Sequence, residues 1–395
     1  MAGDGLASLA GMAHGDSGLE DSAASEVSSR ERAIDLDAGA DELADLRRRI
    51  DDVDAEVVAL LNRRARLSVA VGHVKAGRPG ASAPVYQPDR EAQVYDRVAG
   101  LSEGPLSAPA LRAIYAEILS SSRALQGPLR VGYLGPIGTF THEAAMRSFG
   151  TAAVYVPCRT IEDVFDAADR GEVDHGVVGV ENSTAGAVTP TLDVFLTTRL
   201  QICGELELAI AHNLFGHGSL QQVTKVYSHP QALAQCRRWL SEHLPGAEQI
   251  ETASTSLAVQ LAAKSPELAA VGPESAGKLH GLPLLVSSIQ DSSSNVTRFL
   301  VLGRERCQRT GHDKLAIVFA VKDRPGALRD ALDVFAGRGI DMTRIESRPS
   351  RQQLWEYVFY ADLAGHPDDE MVAEALAELE QQSLFVKVLG AWPVH

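Results

Sequence analysis

Two segments of the 395-residue chain place polar side chains inside apolar patterns. In Asn-Val-Thr-Arg-Phe-Leu-Val-Leu-Gly, residues 295–303, the apolar second half predicts a buried strand with Thr297 and Arg298 at its entrance. Packing of a strand requires neither side chain, whereas a hydroxyl can donate a hydrogen bond or a proton and a guanidinium can hold a carboxylate. The segment therefore predicts a polar binding site at the start of this strand.

The second segment lies near the N-terminus and has helical periodicity. Arg64 occupies a position where the apolar stripe expects a hydrophobic residue, and Lys75 follows eleven residues later. At about 100° per residue these two lie roughly 20° apart on one helix face, whereas Arg47 lies about 100° round the helix from Arg64. We therefore expect Arg64 and Lys75 to bind a small anion together, and Arg47 to reach the equivalent site of a second chain in a dimer.

A long helix, predicted from Asp41 to Lys75, must position these cations, since the stretch contains no proline. Its apolar residues recur at three-and-four spacing, and a single helix about 50 Å long cannot bury that stripe without partner helices. Two further helices are predicted from about Asp89 to Val98 and from about Ala108 to Gln126, the latter with Ser107 as its N-cap. The sequence thus predicts an all-α region over residues 41–127.

This helical region resembles the all-α chorismate mutases through LRRRIDDVDAEVVALLNRRARLSVAVGHVK, VYQPDRE and SSSRALQ. The resemblance implies a pericyclic rearrangement of chorismate to prephenate, which needs a held conformer and stabilisation of charge on the ether oxygen. By position, the resemblance implies that Arg64, Arg90, Ser122 and the partner's Arg47 hold the substrate's carboxylates, that Lys75 and Gln126 contact the ether oxygen, and that Glu91 binds the ring hydroxyl.

The middle of the chain repeats a strand followed by a polar turn. Strands predicted at 129–134, 177–180 and 223–227 lead into the turns GPIGTFT, ENSTAG and SHPQ. In the last turn, Ser228 and Gln231 have the spacing of a capping box. Helix N-termini present free N–H groups to anions, and in open α/β sheets such ends gather at one crevice. We therefore expect the three turns to converge on one site.

The segments YLGPIGTFTHEAA, GVVGVENSTAGAV, YSHPQALAQC and NVTRFLVLG resemble prephenate dehydratase over residues 128–305. The resemblance implies two α/β lobes around a cleft, like a periplasmic binding protein, in which prephenate loses water and CO2 to form phenylpyruvate. Thr297 would give a hydrogen bond or a proton to the departing ring hydroxyl, a role that requires desolvation and orientation because threonine is a weak acid. Glu181, Asn182 and Gln235 join Thr297 as candidate catalytic residues.

The other residues carried over have binding roles. Arg298 is expected either to hold a substrate carboxylate or to brace Glu181, and Phe299 to exclude water from the site. The carboxylates and keto group would be bound by Asn182, Ser183, Ser228 and Gln235. His229 remains open as an acid or as part of a helix cap.

Residues 313–395 are predicted to fold in the order βαββαβ, a ferredoxin-like α+β module. Its first helix is expected to be capped by Asp323, with Pro325 in the first turn. The motifs DRPGAL and IESRPS resemble the ACT domain of dehydratases, which implies phenylalanine binding at an interface between two chains. The residues implied are Gly326, Ala327, Leu328, Glu346, Ser347, Arg348 and Pro349. A plain dimerisation domain is the alternative.

Composition limits the remaining possibilities. Residues 1–45 hold eleven acidic residues against two arginines, and the segment 1–40 is predicted to be a disordered tail. The net charge of −15 and the lack of a long basic run argue against nucleic acid as a partner. No secretory signal or membrane-length apolar run occurs, and four widely spaced cysteines indicate reduced thiols in a cytoplasmic protein. No His/Cys/acid cluster has ligand spacing, so neither metal nor organic cofactor is expected.

Together the three resemblances imply a multidomain, bifunctional chorismate mutase and prephenate dehydratase of phenylalanine biosynthesis, regulated by L-phenylalanine and assembled as a homodimer or larger homo-oligomer. Three alternatives remain. The helices of a dehydratase could serve only dimerisation or regulation, the chain could be a non-catalytic amino-acid sensor, or the dehydratase could act on arogenate.

Overall fold

The structure, a computed structural model, describes residues 40–76, 85–349 and 357–394. Residues 1–39 of the predicted tail lie outside the described residues. The described residues divide between Asn62 and Arg63 into two compact units.

Three helices form the N-terminal region: α1 (Ala40–Ala76), α2 (Pro88–Gly100) and α3 (Ala108–Ala124). They confirm the three predicted helices. Ser107 is the N-cap of α3, as predicted, and its Oγ accepts a hydrogen bond from Ala110 N at 3.4 Å. In the part of α1 that belongs to the second unit, the apolar residues Leu67 and Val74 are each 63% exposed.

The next region, up to Gly303, is α/β. Its strands are β1 (Arg130–Leu134), β2 (Val154–Cys158), β3 (His175–Asn182), β4 (Gly186–Ala187), β5 (Gln201–Ala209), β6 (Asn213–Gly216), β7 (Lys225–Ser228), β8 (Glu248–Glu251), β9 (Leu268–Gly272), β10 (Leu284–Val286) and β11 (Val296–Gly303). Its helices are α4 (Phe140–Phe149), α5 (Ile161–Asp169), α6 (Thr189–Phe195), α7 (Pro230–Gln235), α8 (Arg237–His243), α9 (Thr255–Ala262) and α10 (Glu274–His280). The three predicted strands correspond to β1, β3 and β7.

These strands form two sheets, one in each lobe. The first has the order β2-β1-β3-β11-β5 with β4 beside β3, and the second has the order β10-β6-β9-β7-β8. The chain leaves the first lobe after β5, builds the second, and returns through β11, which pairs antiparallel with both β3 and β5. The returning strand therefore places Thr297 directly opposite Asn182 of β3.

The C-terminal module confirms the predicted βαββαβ order, with β12 (Asp313–Val321), α11 (Ala327–Ala336), β13 (Met342–Pro349), β14 (Tyr357–Ala364), α12 (Glu370–Gln382) and β15 (Ser383–Pro393). Its antiparallel sheet has the order β13-β14-β12-β15. The predicted cap of its first helix is wrong. The N-cap is Gly326, whose φ of 81° is left-handed, so Asp323 and Pro325 precede the helix.

The two faces of this C-terminal sheet belong to different cores. One face carries Leu315 and Phe319 and packs against the module's own helices. The opposite face carries Val318, Tyr360 and Trp392, which share a core with the first sheet of the α/β region. Tyr360 also donates its hydroxyl to the carbonyl of Leu192 at 2.7 Å. The C-terminal sheet therefore covers the side of the first lobe that faces away from the cleft.

Candidate active sites

The cleft between the two lobes contains a cavity of about 310 Å³. Asn182, Thr297 and Phe299 line it from the first sheet, and Gln235 lines it from α7 in the second lobe. The chain crosses between the lobes beside this cavity. His212 lies in the short connection from β5 to β6 and also lines the cavity.

Three helix N-termini reach this cavity. Thr139 caps α4 by accepting from His142 N, His229 caps α7, and Ser254 caps α9 by accepting from Leu257 N. All three caps line the cavity, as do Phe140 and Thr255 at the first positions of two of these helices. Free N–H groups and helix dipoles favour an anionic ligand here. All three predicted turns contribute residues to the lining of this cavity, the second one through Asn182.

Two details of that expectation are wrong. The turn after Asn182 leads into the short strand β4 and not into a helix. The Ser228 capping box is also absent, because Ser228 ends β7 fully buried and donates to the carbonyl of Val271 at 2.7 Å. His229 takes the N-cap position, with Nδ1 accepting from Gln231 N at 3.3 Å. Ser228 therefore does not line the cavity.

Asn182 and Thr297 form the central polar pair of the cleft. Asn182 Nδ2 donates to Thr297 Oγ1 at 2.7 Å and to Asn295 Oδ1 at 2.8 Å. The Oδ1 atom of Asn182 accepts from the backbone N–H groups of Thr184 and Ala185. Because these backbone donors fix the amide, its NH2 group must face Thr297. The hydroxyl of Thr297 therefore receives a hydrogen bond at oxygen and keeps its own proton for a ligand.

Gln235 and His212 form a second polar group in the cleft, and the sequence analysis did not single out His212. Gln235 Oε1 accepts from Asn295 Nδ2 at 3.1 Å and from His212 Nε2 at 2.7 Å. Burial lowers the pKa of His212, opposed by the hydrogen bond to Gln235. This pattern assigns a neutral imidazole with its proton on Nε2. A lone histidine between two predicted strands carries no sequence signal for this position, whereas Ser254 before an apolar run does carry a capping signal.

Several predicted residues point away from the cleft because neighbouring residues of a strand face opposite sides. Glu181 pairs with Arg344 of β13 at 2.6 Å. Arg298 pairs with Glu205 at 2.7 Å and with Asp362 at 2.6 Å. Both expectations for Arg298, a substrate carboxylate or a brace for Glu181, are therefore wrong. Its guanidinium is occupied on the far face of the sheet.

Ser183 also lies on that far face. Its Oγ donates to the carbonyl of Ser294 and accepts from Val296 N. Together with Glu181 and Arg298 it lines a separate cavity of about 360 Å³. The same geometry leaves Phe299 in the cleft, as predicted, with 3% of its surface exposed.

Within residues 63–395, Arg64 and Lys75 of α1 each contact a residue outside α1. Arg64 donates to Ser122 Oγ at 2.5 Å, and Lys75 Nζ donates to Gln87 Oε1 at 2.9 Å. Gln126 packs against Gly72, one turn before Lys75, so that a Cβ at Gly72 would lie 3.1 Å from its Cγ. The structure thus places Ser122 of α3 beside Arg64, and Gln126, just beyond the end of α3, beside Gly72 of α1.

Glu91 is held by a residue that the sequence analysis did not single out. Its carboxylate contacts the guanidinium of Arg123, which also donates to the carbonyl of Phe149 at 2.7 Å. Burial raises the pKa of Glu91, whereas Arg123 and Arg64 oppose that rise. Burial likewise lowers the pKa of Lys75, which is opposed by Asp89.

Arg90 does not join this group. Arg90 is exposed and donates to Gln93 at 3.0 Å on its own helix. Arg47 belongs to the first compact unit and is exposed there.

In the C-terminal module, the two predicted motifs occupy a helix start and a strand. Gly326, Ala327 and Leu328 form the beginning of α11, and Glu346 to Pro349 end β13. Ser347 and Pro349 are exposed, whereas Glu346 and Arg348 are partly buried. Arg348 donates to Thr189 Oγ1 at 2.8 Å, so its guanidinium faces the first lobe.

No helix in the described ranges is both long and apolar enough to cross a lipid bilayer. Family models match three consecutive parts of the chain: chorismate mutase type II at residues 46–127, prephenate dehydratase at 131–307 and the ACT domain at 316–381.

Individual relatives extend these matches over most of the chain. The bifunctional chorismate mutase/prephenate dehydratase of Aquifex aeolicus is 44% identical over 358 residues, which cover 89% of this chain and 98% of the relative. The protein of the same name from Pseudomonas aeruginosa is 42% identical, with 90% and 99% coverage. A crystal structure of prephenate dehydratase from Arthrobacter aurescens in complex with L-Phe is 37% identical, with a TM-score of 0.62, and covers 67% of this chain and 90% of that one. This chain belongs to the family of bifunctional chorismate mutase/prephenate dehydratases.

Proposed function

We propose that this protein rearranges chorismate to prephenate in its helical domain and converts prephenate to phenylpyruvate in its cleft, with feedback regulation by L-phenylalanine at the ACT domain. The observation that carries the dehydratase half is the Asn182–Thr297 pair at the meeting point of three helix N-termini. Prephenate carries two carboxylates and one leaving hydroxyl, which matches an anion-binding cleft with one oriented hydroxyl donor.

The dehydratase step needs a group that stabilises the departing hydroxyl. Thr297 donates its proton in a hydrogen bond to that oxygen, while Asn182 holds the threonine in this orientation. The electron pair of the carboxylate–ring bond moves into the ring as CO2 leaves and the ring C–O bond breaks. The departing hydroxide takes the proton of Thr297 and leaves as water, aromatisation drives the step, and a proton from solvent restores the Thr297 hydroxyl. The capped N-termini of α4 and α9 hold the negative charges. Phe299 and Phe140 exclude water, which strengthens each of these interactions.

The two lobes are proposed to close around the substrate like those of a periplasmic binding protein. His212 and Gln235 contribute fixed dipoles at the hinge side of the cleft. Because His212 is neutral, we assign it a positioning or hydrogen-bonding role and not that of an acid.

The mutase step requires no proton transfer. Arg64, supported by Ser122, and the partner's Arg47 bind the carboxylates of chorismate, while Lys75 and Gln126 stabilise charge on the ether oxygen. Arg90 also belongs to the proposed carboxylate set and must turn inward from its present contact with Gln93. Glu91 binds the ring hydroxyl. The proposed partner Arg47 makes the active form at least a homodimer.

Regulation is assigned to the ACT motifs. Phenylalanine binds between two ACT domains, where the turn from Gly326 to Leu328 and the segment from Glu346 to Pro349 provide backbone amides and a carboxylate for its two charged groups. The four free cysteines suit a cytoplasmic enzyme.

The test uses the purified full-length protein. Chorismate consumption and phenylpyruvate formation are followed separately, with prephenate and arogenate compared as dehydratase substrates. Both activities, a preference for prephenate and inhibition by L-phenylalanine are expected. Absence of chorismate turnover would show that the helices serve only in assembly or regulation. Faster turnover of arogenate than of prephenate would show that arogenate is the dehydratase substrate.

A further inference from the structure

Strands β3 and β11 carry functional side chains on one face and an ionic layer on the other. Asn182 and Thr297 face the cleft, and their chain neighbours Glu181 and Arg298 face the ACT domain. Glu181 and Arg298 lie directly opposite each other across the two strands. Any displacement of this charged pair therefore acts on residues covalently adjacent to the proposed catalytic pair.

The ACT sheet presents a complementary pair of charges. Arg344 of β13 and Asp362 of β14 are also direct cross-strand neighbours. Arg344 Nε contacts Glu181 Oε2 at 2.6 Å, and Arg298 Nη1 contacts Asp362 Oδ2 at 2.6 Å. These four residues form what we call the charge quartet, in which each cation meets an anion of the other domain.

Burial makes the quartet sensitive to small movements. Only 13% of the Arg344 side chain, 12% of Arg298 and 7% of Asp362 are exposed, whereas Glu181 remains 39% exposed beside the cavity. Arg344 Nη2 is buried and has no hydrogen-bond acceptor among the described residues. Arg298 keeps its contact with Glu205 if Asp362 is lost, and Glu181 is partly hydrated if Arg344 is lost. Loss of Glu181, by contrast, would leave the guanidinium of Arg344 buried without that carboxylate, which costs more than the pair contributes.

We propose that Arg344 and Asp362 are positioning residues of the dehydratase, which act through Glu181 and Arg298 on Asn182 and Thr297. The inference rests on the proposed phenylalanine site, because Arg344 lies on the same strand as Glu346 and only two residues before it. A shift of β13 on phenylalanine binding must either carry Glu181 with it or break the pair. Either change alters the strand position that fixes the amide of Asn182. Glu181 therefore acts from behind the sheet and does not touch the substrate.

The test compares two variants that each remove a cation linking the ACT domain to the dehydratase domain. Arg344→Met removes a quartet member. Lys387→Met removes a contact that involves neither β3 nor β11, in which Lys387 Nζ donates to the carbonyls of Phe195 at 2.8 Å and Thr198 at 2.6 Å. Turnover of prephenate, its KM and the inhibiting concentration of L-phenylalanine are measured on the full-length protein.

For Arg344→Met we expect kcat to fall about tenfold or more with little change in KM, and the inhibiting concentration of phenylalanine to change about tenfold. Lys387→Met should stay within about twofold of the parent in all three values. Arg344→Lys, which keeps the charge, should recover part of kcat. Chorismate turnover serves as the measure of folded protein in every variant.

Equal losses in Arg344→Met and Lys387→Met, or a parent-like Arg344→Met, would overturn the inference. A parent that turns over prephenate but ignores phenylalanine would instead refute the proposed regulation, and kcat of Arg344→Met would then decide the positioning role alone.

Discussion

Asn182 Nδ2 lies 2.7 Å from Thr297 Oγ1, across two antiparallel strands in which these residues are direct neighbours. The donor is the amide and the acceptor is the hydroxyl oxygen, because the carbonyl end of Asn182 is already bound to the turn that follows it. This polarity leaves one proton on Thr297 for the cleft, and it makes the pair directional. The first two predictions test each member of the pair.

Thr297→Val removes the hydroxyl at nearly constant volume. We expect dehydratase kcat to fall by about 10² or more, because the departing oxygen loses its donor, whereas chorismate turnover stays unchanged. Thr297→Ser is the control and should retain at least part of the activity. A valine variant that makes phenylpyruvate at the parent rate would remove Thr297 from the mechanism.

Asn182→Asp reverses the polarity of the pair. A carboxylate at this position accepts from the threonine hydroxyl and turns its proton away from the cleft, so kcat should fall about 10²-fold at neutral pH. Protonation of the new carboxyl restores a donor, and relative activity should therefore rise as the pH falls. A pH profile of prephenate turnover parallel to that of the parent would contradict this account.

Arg123→Met tests the support of Glu91 in the mutase site. Burial already raises the pKa of Glu91, and Arg123 opposes that rise, so its removal should raise the pKa further. Chorismate turnover should then fall near neutral pH and recover as the pH rises and Glu91 ionises. Arg123→Lys keeps a cation and should restore a parent-like profile, as measured by chorismate consumption between pH 6 and about 9. An unchanged profile in the methionine variant would show that Arg123 does not control this carboxylate.

His175 predicts acid sensitivity of folding. Burial lowers its pKa to about 4, against 6.5 for an exposed histidine, although the carbonyl of Leu302 opposes the shift. The unfolded chain therefore binds the extra proton first. The contribution of His175 to the free energy of unfolding is fully present above about pH 6.5. It decreases by about 3 kcal/mol as the pH falls towards 4. Urea unfolding of the parent and of His175→Gln at several pH values measures the difference, and equal pH slopes for both proteins would contradict the prediction.

The sequence predicted the elements well because their periodicities and caps are local. The three helices of the mutase domain and the βαββαβ order follow from spacing along each element. The cap at Ser107 needs only the residues beside it. The prediction of a capping box at Ser228 was wrong because this residue has the spacing of a capping box but is the last residue of a buried strand.

The direction of side chains on β3 and β11 depends on what covers each face of the sheet. Both faces of β3 are largely buried, so its sequence lacks the alternation that distinguishes a core face from an exposed one. The ACT sheet provides the ion-pair partners of Glu181 and Arg298. It lies more than a hundred residues further along the chain than Glu181. The motifs therefore identified the correct strands, but residues on both faces of these strands were predicted to lie at the substrate site.

Helix α4 links the two halves of the molecule. Thr139 at its start lines the dehydratase cleft. The carbonyl of Phe149 at its end accepts a hydrogen bond from Arg123 of the mutase helices. Ten helical residues separate these ends by only about 15 Å. A mutant selected for loss of one reaction through damage to α4 should therefore often prove deficient in the other, so that genetic complementation would require both activities to be restored together.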